Sequence, residues 1–521
     1  MHNEMESRTG FGIRKYPIGL QSFRKIREGG YVYVDKTEII HRMVTTGSYY
    51  FLSRPRRFGK SLLMDTIEEL FKGSRELFDG LWVESNWDWS RTNPVLHFNF
   101  AEISYKEIGL SDALKEEVGI VAGALGLALT AQTLKGMFRE LIQKTAEAYG
   151  QAVILIDEYD KPLVDFLDDP AQLENNRSVM KTFYSVLKGQ DEHIRFLLLT
   201  GVSRFSRVSV FSDLNNLEDI SIDDNFHRIV GITQAELERD FTPELADMAH
   251  ADPDILAKVK EWYNGYSWGG EERLYNPFSV LNLMKSRKFM NHWYTTGTPT
   301  FLFEQLKKRK LSDMEGVRAS ANQLSDFNTD DLDLNSLLFQ TGYLTIKREL
   351  VPNQLFELGY PNREVRESFL EGLLDSYREP VQPDAAGLTY DLRLAMAAYD
   401  VPGMVNALNA LIGVIPYDHW QAERESIFTI ITVLAFKLAG AEAYSEVHSS
   451  RGRCDVLAKT PDYIYVIEVK LDGTAQEALD QILNTNYLQP YLDDRRKKIA
   501  LGITFSSETR KVAEYLVEEI R

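Results

Sequence analysis

The sequence predicts an α/β protein: a parallel sheet in the first half, a helical middle, and a second, smaller α/β unit near the end. Three observations predict it. Apolar runs alternate with helical periodicity over residues 20–235, the pattern of a parallel sheet with helices on both faces. Tyr49–Leu52 leads through Ser53-Arg54-Pro55-Arg56-Arg57-Phe58-Gly59-Lys60-Ser61 into the apolar-periodic stretch Leu62–Phe71, which reads as strand, turn and helix. Ala152–Ile156 is a continuous apolar run, as in a buried parallel strand, and it ends in Asp157-Glu158.

The second and third observations carry chemistry. Backbone N–H groups of Arg57, Phe58 and Gly59 and of the helix start make an anion-binding nest. The Lys60 ammonium neutralises phosphate, and the Ser61 hydroxyl holds Mg²⁺, which is the layout of a P-loop for ATP. The usual first glycine is replaced by Arg54, so Gly59-Lys60-Ser61 must carry the match against a chance Gly-Lys-Ser on a helix start. Asp157 at a strand end suits Mg²⁺ through water, and Glu158 suits polarising the attacking water. A strand ending in a solvated acidic turn is the plainer reading of Asp157-Glu158. Both stretches in this order predict a nucleotide site.

Composition sets bounds. With 521 residues the chain is expected to hold two or three domains, and 44% hydrophobic with 26% charged residues is ordinary for a globular protein. A net charge of −18 removes any global attraction to nucleic acid, leaving local basic patches for that purpose. The single cysteine, Cys454, excludes an intrachain disulfide, and the 9 histidines show no zinc spacing. No apolar run is long enough to span a membrane and Met1-His2-Asn3-Glu4 has no secretory pattern, so a cytoplasmic location is expected.

Along the first half, Ser22–Arg27 reads as a short helix and Tyr31–Lys36 as a half-buried strand. Thr37–Val44 reads as an amphipathic helix that either covers a sheet edge or roofs the base. Pro94–Phe100 and Arg195–Gly201 are further strands, with helices over Thr133–Tyr149 and Ser178–Leu187. Thr200, at a strand's carboxyl end, either senses the γ-phosphate or caps the turn. Arg204 and Arg207 reach phosphate or lie on the surface. Thr233-x-x-Glu236 is a capping box opening a helical region. The loop Trp262–Gly270 is a packed elbow or a stacking platform. Residues 290–350 read as a small helical domain ending in helix, Gly342 and strand, in the manner of a winged helix. Turn signals at Pro361-Asn362, Pro380–Pro383 and Val401-Pro402-Gly403 mark a connector.

The last hundred residues hold another constellation. Helix Glu423–Leu438 is followed by strands at Ala443–Ser449, Arg453–Ala458 and Tyr463–Lys470, a helix at Thr474–Asn484, a strand at Ile499–Phe505 and a helix at Ser507–Ile520. Glu468 and Lys470, two apart, share a strand face with Ile464 and Val466. Asp455 on the preceding strand falls beside Glu468. The two carboxylates offer hard oxygens to Mg²⁺ or Mn²⁺, and Lys470 would orient a water attacking a phosphodiester. The alternative is a buried salt-bridge cluster without chemistry.

Both halves resemble the bacterial and archaeal AAA-ATPase-like proteins with a C-terminal PD-(D/E)xK nuclease domain. The resemblance rests on Tyr33–Thr37, Leu52–Ser61 (with Arg54 in place), Leu155–Pro162, Thr200–Val202 and Leu214–Leu217. It extends to Asn276–Phe278, Thr296–Pro299, Gln340–Leu344, Tyr360–Asn362, Gly452-Arg453-x-Asp455 and Ile467–Lys470. It implies a restriction-endonuclease-like fold for the last domain, a polar pair at Gln481 and Tyr487, and a first-helix acid at Glu425, less readily Glu423, with Glu446 near the metal. The domains expected are 1–235 (ATPase), 236–350 (helical lid and winged-helix region), 351–420 (connector) and 421–521 (nuclease-like).

Two functions are consistent with these features. One is an ATP-regulated, metal-dependent nuclease acting on nucleic acid, DNA before RNA. The other is an ATPase switch whose nuclease-like domain only binds nucleic acid or a protein. Self-association as a homo-oligomer stays open, and no membrane partner is expected.

Overall fold

The apolar runs of the first half become parallel strands: β1 (Tyr49–Ser53), β2 (Val95–Asn99), β3 (Ala152–Asp157), β4 (Ile194–Gly201) and the short β5 (Glu218–Asp219). Their order is β2-β3-β4-β1-β5. All of β1 and β3 is buried, which is why both read as unbroken apolar runs rather than alternating ones. β4 lies between β1 and β3, pairing Leu52 with Thr200 and Ile156 with Leu199. The order therefore brings the P-loop strand, Thr200 and the acidic strand end to one edge of the sheet.

The computed structural model describes residues 14–204, 216–269, 272–293, 314–325, 333–352, 354–377, 385–413, 424–449 and 452–520, with residues 211, 214, 303 and 306. The chain divides into two compact units, Met1–Trp293 with Glu315–Val365, and Tyr294–Met314 with Arg366–Arg521. Among the described residues no helix is long and apolar enough to cross a membrane.

Helix starts in the first unit follow their caps. Thr133 accepts the Gly136 N–H before Leu134–Tyr149, and the Thr233/Glu236 box is closed on both sides. The predicted helix at Ser178 begins earlier, at Pro170, because Asp169 caps it and proline suits the first turn. Tyr31–Lys36 is not a strand. Only Tyr31 forms a bridge, to Lys15, and among the described residues no strand pairs with the rest of the stretch. The region predicted as helical near residue 340 has the helix Leu334–Thr341 and a left-handed Gly342 (φ 89°). It also carries three strands, β6 (Val317–Ser320), β7 (Thr345–Val351) and β8 (Leu355–Gly359), in an antiparallel sheet of order β6-β8-β7. Thr296–Pro299 and Arg207 lie outside the described residues.

Glu364 shows how a buried polar group is held here. It is fully buried, and its carboxylate accepts from Ser279 Oγ (2.7 Å) and from the N–H groups of His292 (2.6 Å) and Trp293 (2.8 Å). Burial outweighs these bonds and pushes its pKa up to about 7 from 4.5. Folding therefore favours the protonated form. The stability this contributes is present below pH 4.5 and is lost as pH rises through about 7. The difference amounts to about 3 kcal/mol. Glu364→Gln is expected to flatten stability between these limits and to raise it at pH 8, read by denaturant unfolding at several pH values.

The second unit contains β9 (Glu442–Ser449), β10 (Gly452–Lys459), β11 (Tyr463–Leu471), β12 (Lys497–Phe505) and β13 (Val512–Ile520), in the order β13-β12-β11-β10-β9. Only β11 and β12 run parallel. The last element corrects the predicted helix Ser507–Ile520. Val512, Leu516 and Ile520 are four apart and imitate a helical stripe, but they are also alternate positions of a strand. The unpaired edge of β12 decides between them, since its backbone groups need partners. The turn expected at Val401-Pro402-Gly403 is instead the start of the helix Val401–Gly413, where the Asp400 carboxylate accepts the Gly403 N–H at 3.0 Å. Pro380–Pro383 lie outside the described residues.

Candidate functional sites

The P-loop is shaped by two left-handed residues, Arg57 (φ 69°) and Gly59 (φ 93°), immediately before the helix Lys60–Lys72. The buried Lys60 ammonium donates to the carbonyls of Arg54 (2.9 Å) and Pro55 (3.0 Å). Burial lowers its pKa, while Asp157, Asp160 and Glu158 favour the charged form. Ser61 is half-buried in the first helical turn. Arg54, at the position of the usual glycine, points inward and is fully buried. It donates to the carbonyls of Ser53 (2.9 Å) and Ser221 (2.6 Å) and lies 4.3 Å from the Trp268 ring centroid. Burial pulls its pKa down to about 9, so at neutral pH it stays a cation. A buried guanidinium thus braces the loop from behind. Phe58 packs edge-on against Tyr266 (4.7 Å) and Trp268 (5.1 Å), which makes the aromatic loop a packed elbow.

Opposite Lys60, the buried Asp157 Oδ1 accepts from Thr200 Oγ1 (2.5 Å) and from the Glu158 N–H (3.0 Å). Glu158 sits in the left-handed region (φ 51°), and burial followed by the Asp157 charge raises its pKa. Thr200 binds a carboxylate rather than capping its own turn. Arg204 Nη2 is paired with Asp219 at 2.6 Å, and its Nη1 is buried without a hydrogen-bond partner among the described residues.

Sequence reasoning missed an open cavity of about 100 Å³ beside Gly59 and Leu62. Tyr33, Val34, Lys36, Ile229 and Pro277 are among its lining residues. Its mainly apolar walls come from scattered segments, so no periodicity announces it. Lys36 is fastened there to Glu236, at 2.7 Å.

In the second unit, Val456 pairs with Ile467 across β10 and β11, so Asp455 and Glu468 follow at the next rung. The Val469 N–H donates to Asp455 Oδ2 at 2.8 Å. Glu468 is 1% exposed, and its Oε1 accepts from Lys470 Nζ (3.2 Å) and from Gln481 Nε2. Lys470 Nζ also donates to Gln481 Oε1 at 2.7 Å. Burial, then Asp455, raises the Glu468 pKa, with Lys470 opposing. Gln481 is delivered by the helix Ala475–Thr485, whose Leu479 and Ile482 pack with Ile464 and Val466 of β11.

Glu468 Oε2 is buried without a hydrogen-bond partner among the described residues. An orphaned carboxylate oxygen beside a second carboxylate is the donor chemistry of a hard divalent cation, so the residues present fit such an ion. No cluster of three or more acidic, His or Cys ligands occurs among the described residues. Glu425 lies on the helix Arg424–Leu438 and Glu446 on β9, both with side chains outside the description, as is Glu423 entirely. Tyr487 donates to the Arg453 carbonyl at 2.8 Å, so it anchors β10 and does not join Gln481 at the carboxylates.

Fold and sites define the class: a P-loop α/β domain of ATPase type and a mixed-sheet domain of nuclease type in one chain. The predicted AAA-ATPase family matches residues 17–211, and the PD-(D/E)XK nuclease superfamily matches residues 423–515. An uncharacterized protein in the vnfD 5′ region of Azotobacter chroococcum mcd 1 is 39% identical over 522 residues, covering 97% of this chain and 99% of that one. The chain belongs to this family of AAA-ATPase-like proteins with a PD-(D/E)XK domain. Among solved structures, the Aeropyrum pernix ORC1 protein in complex with DNA is similar at 11% identity, with 67% of this chain and 96% of that chain covered and a TM-score of 0.23. The Aeropyrum pernix ORC2 protein is similar at 10% identity, with 68% and 97% covered and a TM-score of 0.30. Scores this low carry no argument here.

Proposed function

We propose that the chain binds and hydrolyses ATP and thereby regulates a metal-dependent phosphodiesterase acting on DNA or RNA. The observation that carries the nuclease half is the orphaned Glu468 oxygen beside Asp455, with Lys470 held between Glu468 and Gln481. In the first unit, the N–H groups of Arg57, Phe58 and Gly59 cradle phosphate and Lys60 transfers its bonds from loop carbonyls to phosphate oxygens. Ser61 and Asp157 would hold Mg²⁺, Thr200 fixes Asp157 and reads the γ-phosphate side, and Glu158 accepts the proton of the attacking water. In the second unit, Asp455 and Glu468 would hold Mg²⁺ or Mn²⁺, with Glu425 as a further ligand. Such an ion supplies Lewis acidity at the phosphodiester. Lys470 orients the incoming water, and Gln481 holds Lys470.

Phosphodiester hydrolysis is downhill, so ATP is not needed to drive it. The ATPase instead gates the nuclease, with a coupling of about 1–3 kcal/mol as is usual between sites. The −18 net charge favours the second reading, a switch whose nuclease-like domain only binds nucleic acid or a protein. The deciding experiment incubates wild type and Lys470→Ala with DNA and RNA in Mn²⁺, with no nucleotide, with ATP and with a non-hydrolysable analogue. Cleavage by wild type that falls on the order of 100-fold in Lys470→Ala is expected. Binding without cleavage under every condition would establish the switch instead.

A further inference from the structure

The acidic turn after β3 is tied to the exit of β4 by more bonds than phosphate chemistry uses. Asp160, 3% exposed, accepts the Val202 N–H (3.2 and 3.1 Å to its two oxygens) and the Ser203 N–H (2.6 Å). Tyr159 donates its hydroxyl to the Ser203 carbonyl at 2.8 Å and its N–H to the Thr200 carbonyl at 3.0 Å. The P-loop strand grips the same segment from the other side. The Arg54 N–H donates to the Gly201 carbonyl (3.1 Å) and Ser53 Oγ to the Val202 carbonyl (2.6 Å). A Cβ on Gly201 would come within 2.5 Å of Asp160 Oδ1, so this approach needs glycine.

The grip continues into the element containing the helix Leu334–Thr341. The Arg204 N–H donates to Gln340 Oε1 at 2.8 Å, and Gln340, 4% exposed, donates in turn to Ser336 Oγ at 3.1 Å. Two residues on, a Cβ at Gly342 would lie 2.7 Å from Pro55 Cβ, so the same helix end abuts the P-loop. Gln340 touches neither the phosphate nest nor the carboxylates, yet it is bonded to the strand exit that carries Thr200.

We propose that Gln340 is a positioning residue of the nucleotide site, holding through the Arg204 N–H the strand exit that places Thr200 against Asp157. The inference rests on the ATP reading above and adds to it a controlling element outside the phosphate-binding residues. Loss of the Gln340 acceptor leaves a part-buried N–H unpaired and frees the segment to shift. Misplacement by about 1 Å at a catalytic group is enough to slow chemistry without altering substrate binding.

The test measures ATP binding and turnover by the full chain in wild type, Gln340→Met and Gln340→Glu. Gln340→Met keeps length and removes the acceptor, and should lower kcat about tenfold with KM unchanged within about twofold. Gln340→Glu keeps an acceptor for Arg204 and should recover at least about half of the wild-type kcat. Amide hydrogen exchange gives a second readout: protection at Arg204 should differ between ADP and a non-hydrolysable ATP analogue in wild type and not in Gln340→Met. Unchanged kcat in Gln340→Met, or equal losses in both variants with a matching fall in thermal midpoint, would overturn the proposal. If wild type binds no ATP, the nucleotide reading fails first and takes this inference with it.

Discussion

Replacing Lys60 with alanine is expected to weaken ATP binding on the order of 100-fold or more, while the protein stays folded. The structure gives the reason. The ammonium is buried and already desolvated, and it rests on two carbonyls of its own loop. Phosphate binding exchanges those neutral acceptors for anionic ones, so a stronger charge-assisted bond forms with little further desolvation. The neighbouring acids favour the charged side chain, while burial, the larger effect, lowers its pKa. Glu158→Gln is the natural companion: it should bind ATP normally and turn it over slowly. Calorimetric titration with ATP, alongside phosphate release, separates the two variants. Equal ATP affinity in wild type and Lys60→Ala would remove the loop from its assigned role.

Asp455→Asn should abolish cleavage without disturbing the sheet. The asparagine carbonyl can still accept the Val469 N–H that Asp455 accepts at 2.8 Å, so the β10–β11 rung survives. What disappears is the anionic charge of one of the carboxylates proposed to hold the ion. The loss should exceed the roughly 10–100-fold that removing an outer partner of a metal ligand costs. Wild-type cleavage should also stop in EDTA and return with Mn²⁺, since the proposed ligands are hard oxygens and no His or Cys cluster that could hold a metal occurs among the described residues. Cleavage by Asp455→Asn that persists in EDTA would point to a different site or a contaminant.

The sequence disclosed the parts whose signal is local. β1 and β3 are buried on both faces, so their apolar runs needed no context, and the Thr233/Glu236 box spells out its own helix start. The two-residue spacing of Glu468 and Lys470 sufficed to place both on one strand face, where Gln481 meets them. What stayed hidden depends on distant partners. Tyr31–Lys36 alternates like a strand, but among the described residues no strand completes a ladder with it. Val512–Ile520 fits both periods, and only the open edge of β12 selects one. Arg54 looks like a defect in the loop until Ser221 and Trp268, far along the chain, are seen to hold it. Arg204 resembles a phosphate finger until Asp219 is found beside it.

The position of β4 between β1 and β3 also bears on how the first unit assembles. The P-loop strand pairs with β4 and β5, and its first rung, Tyr49 with Leu197, closes a loop of about 150 residues. Such pairing has high contact order and makes slow nucleation the rule. A nascent chain that has emerged only as far as Glu158 already contains Gly59-Lys60-Ser61 and the acidic pair. It lacks the strand that sets them at working distance, and β1 has no ladder partner. On the proposed ATP reading, nucleotide affinity arrives late in synthesis, as a property of the completed sheet rather than of either motif.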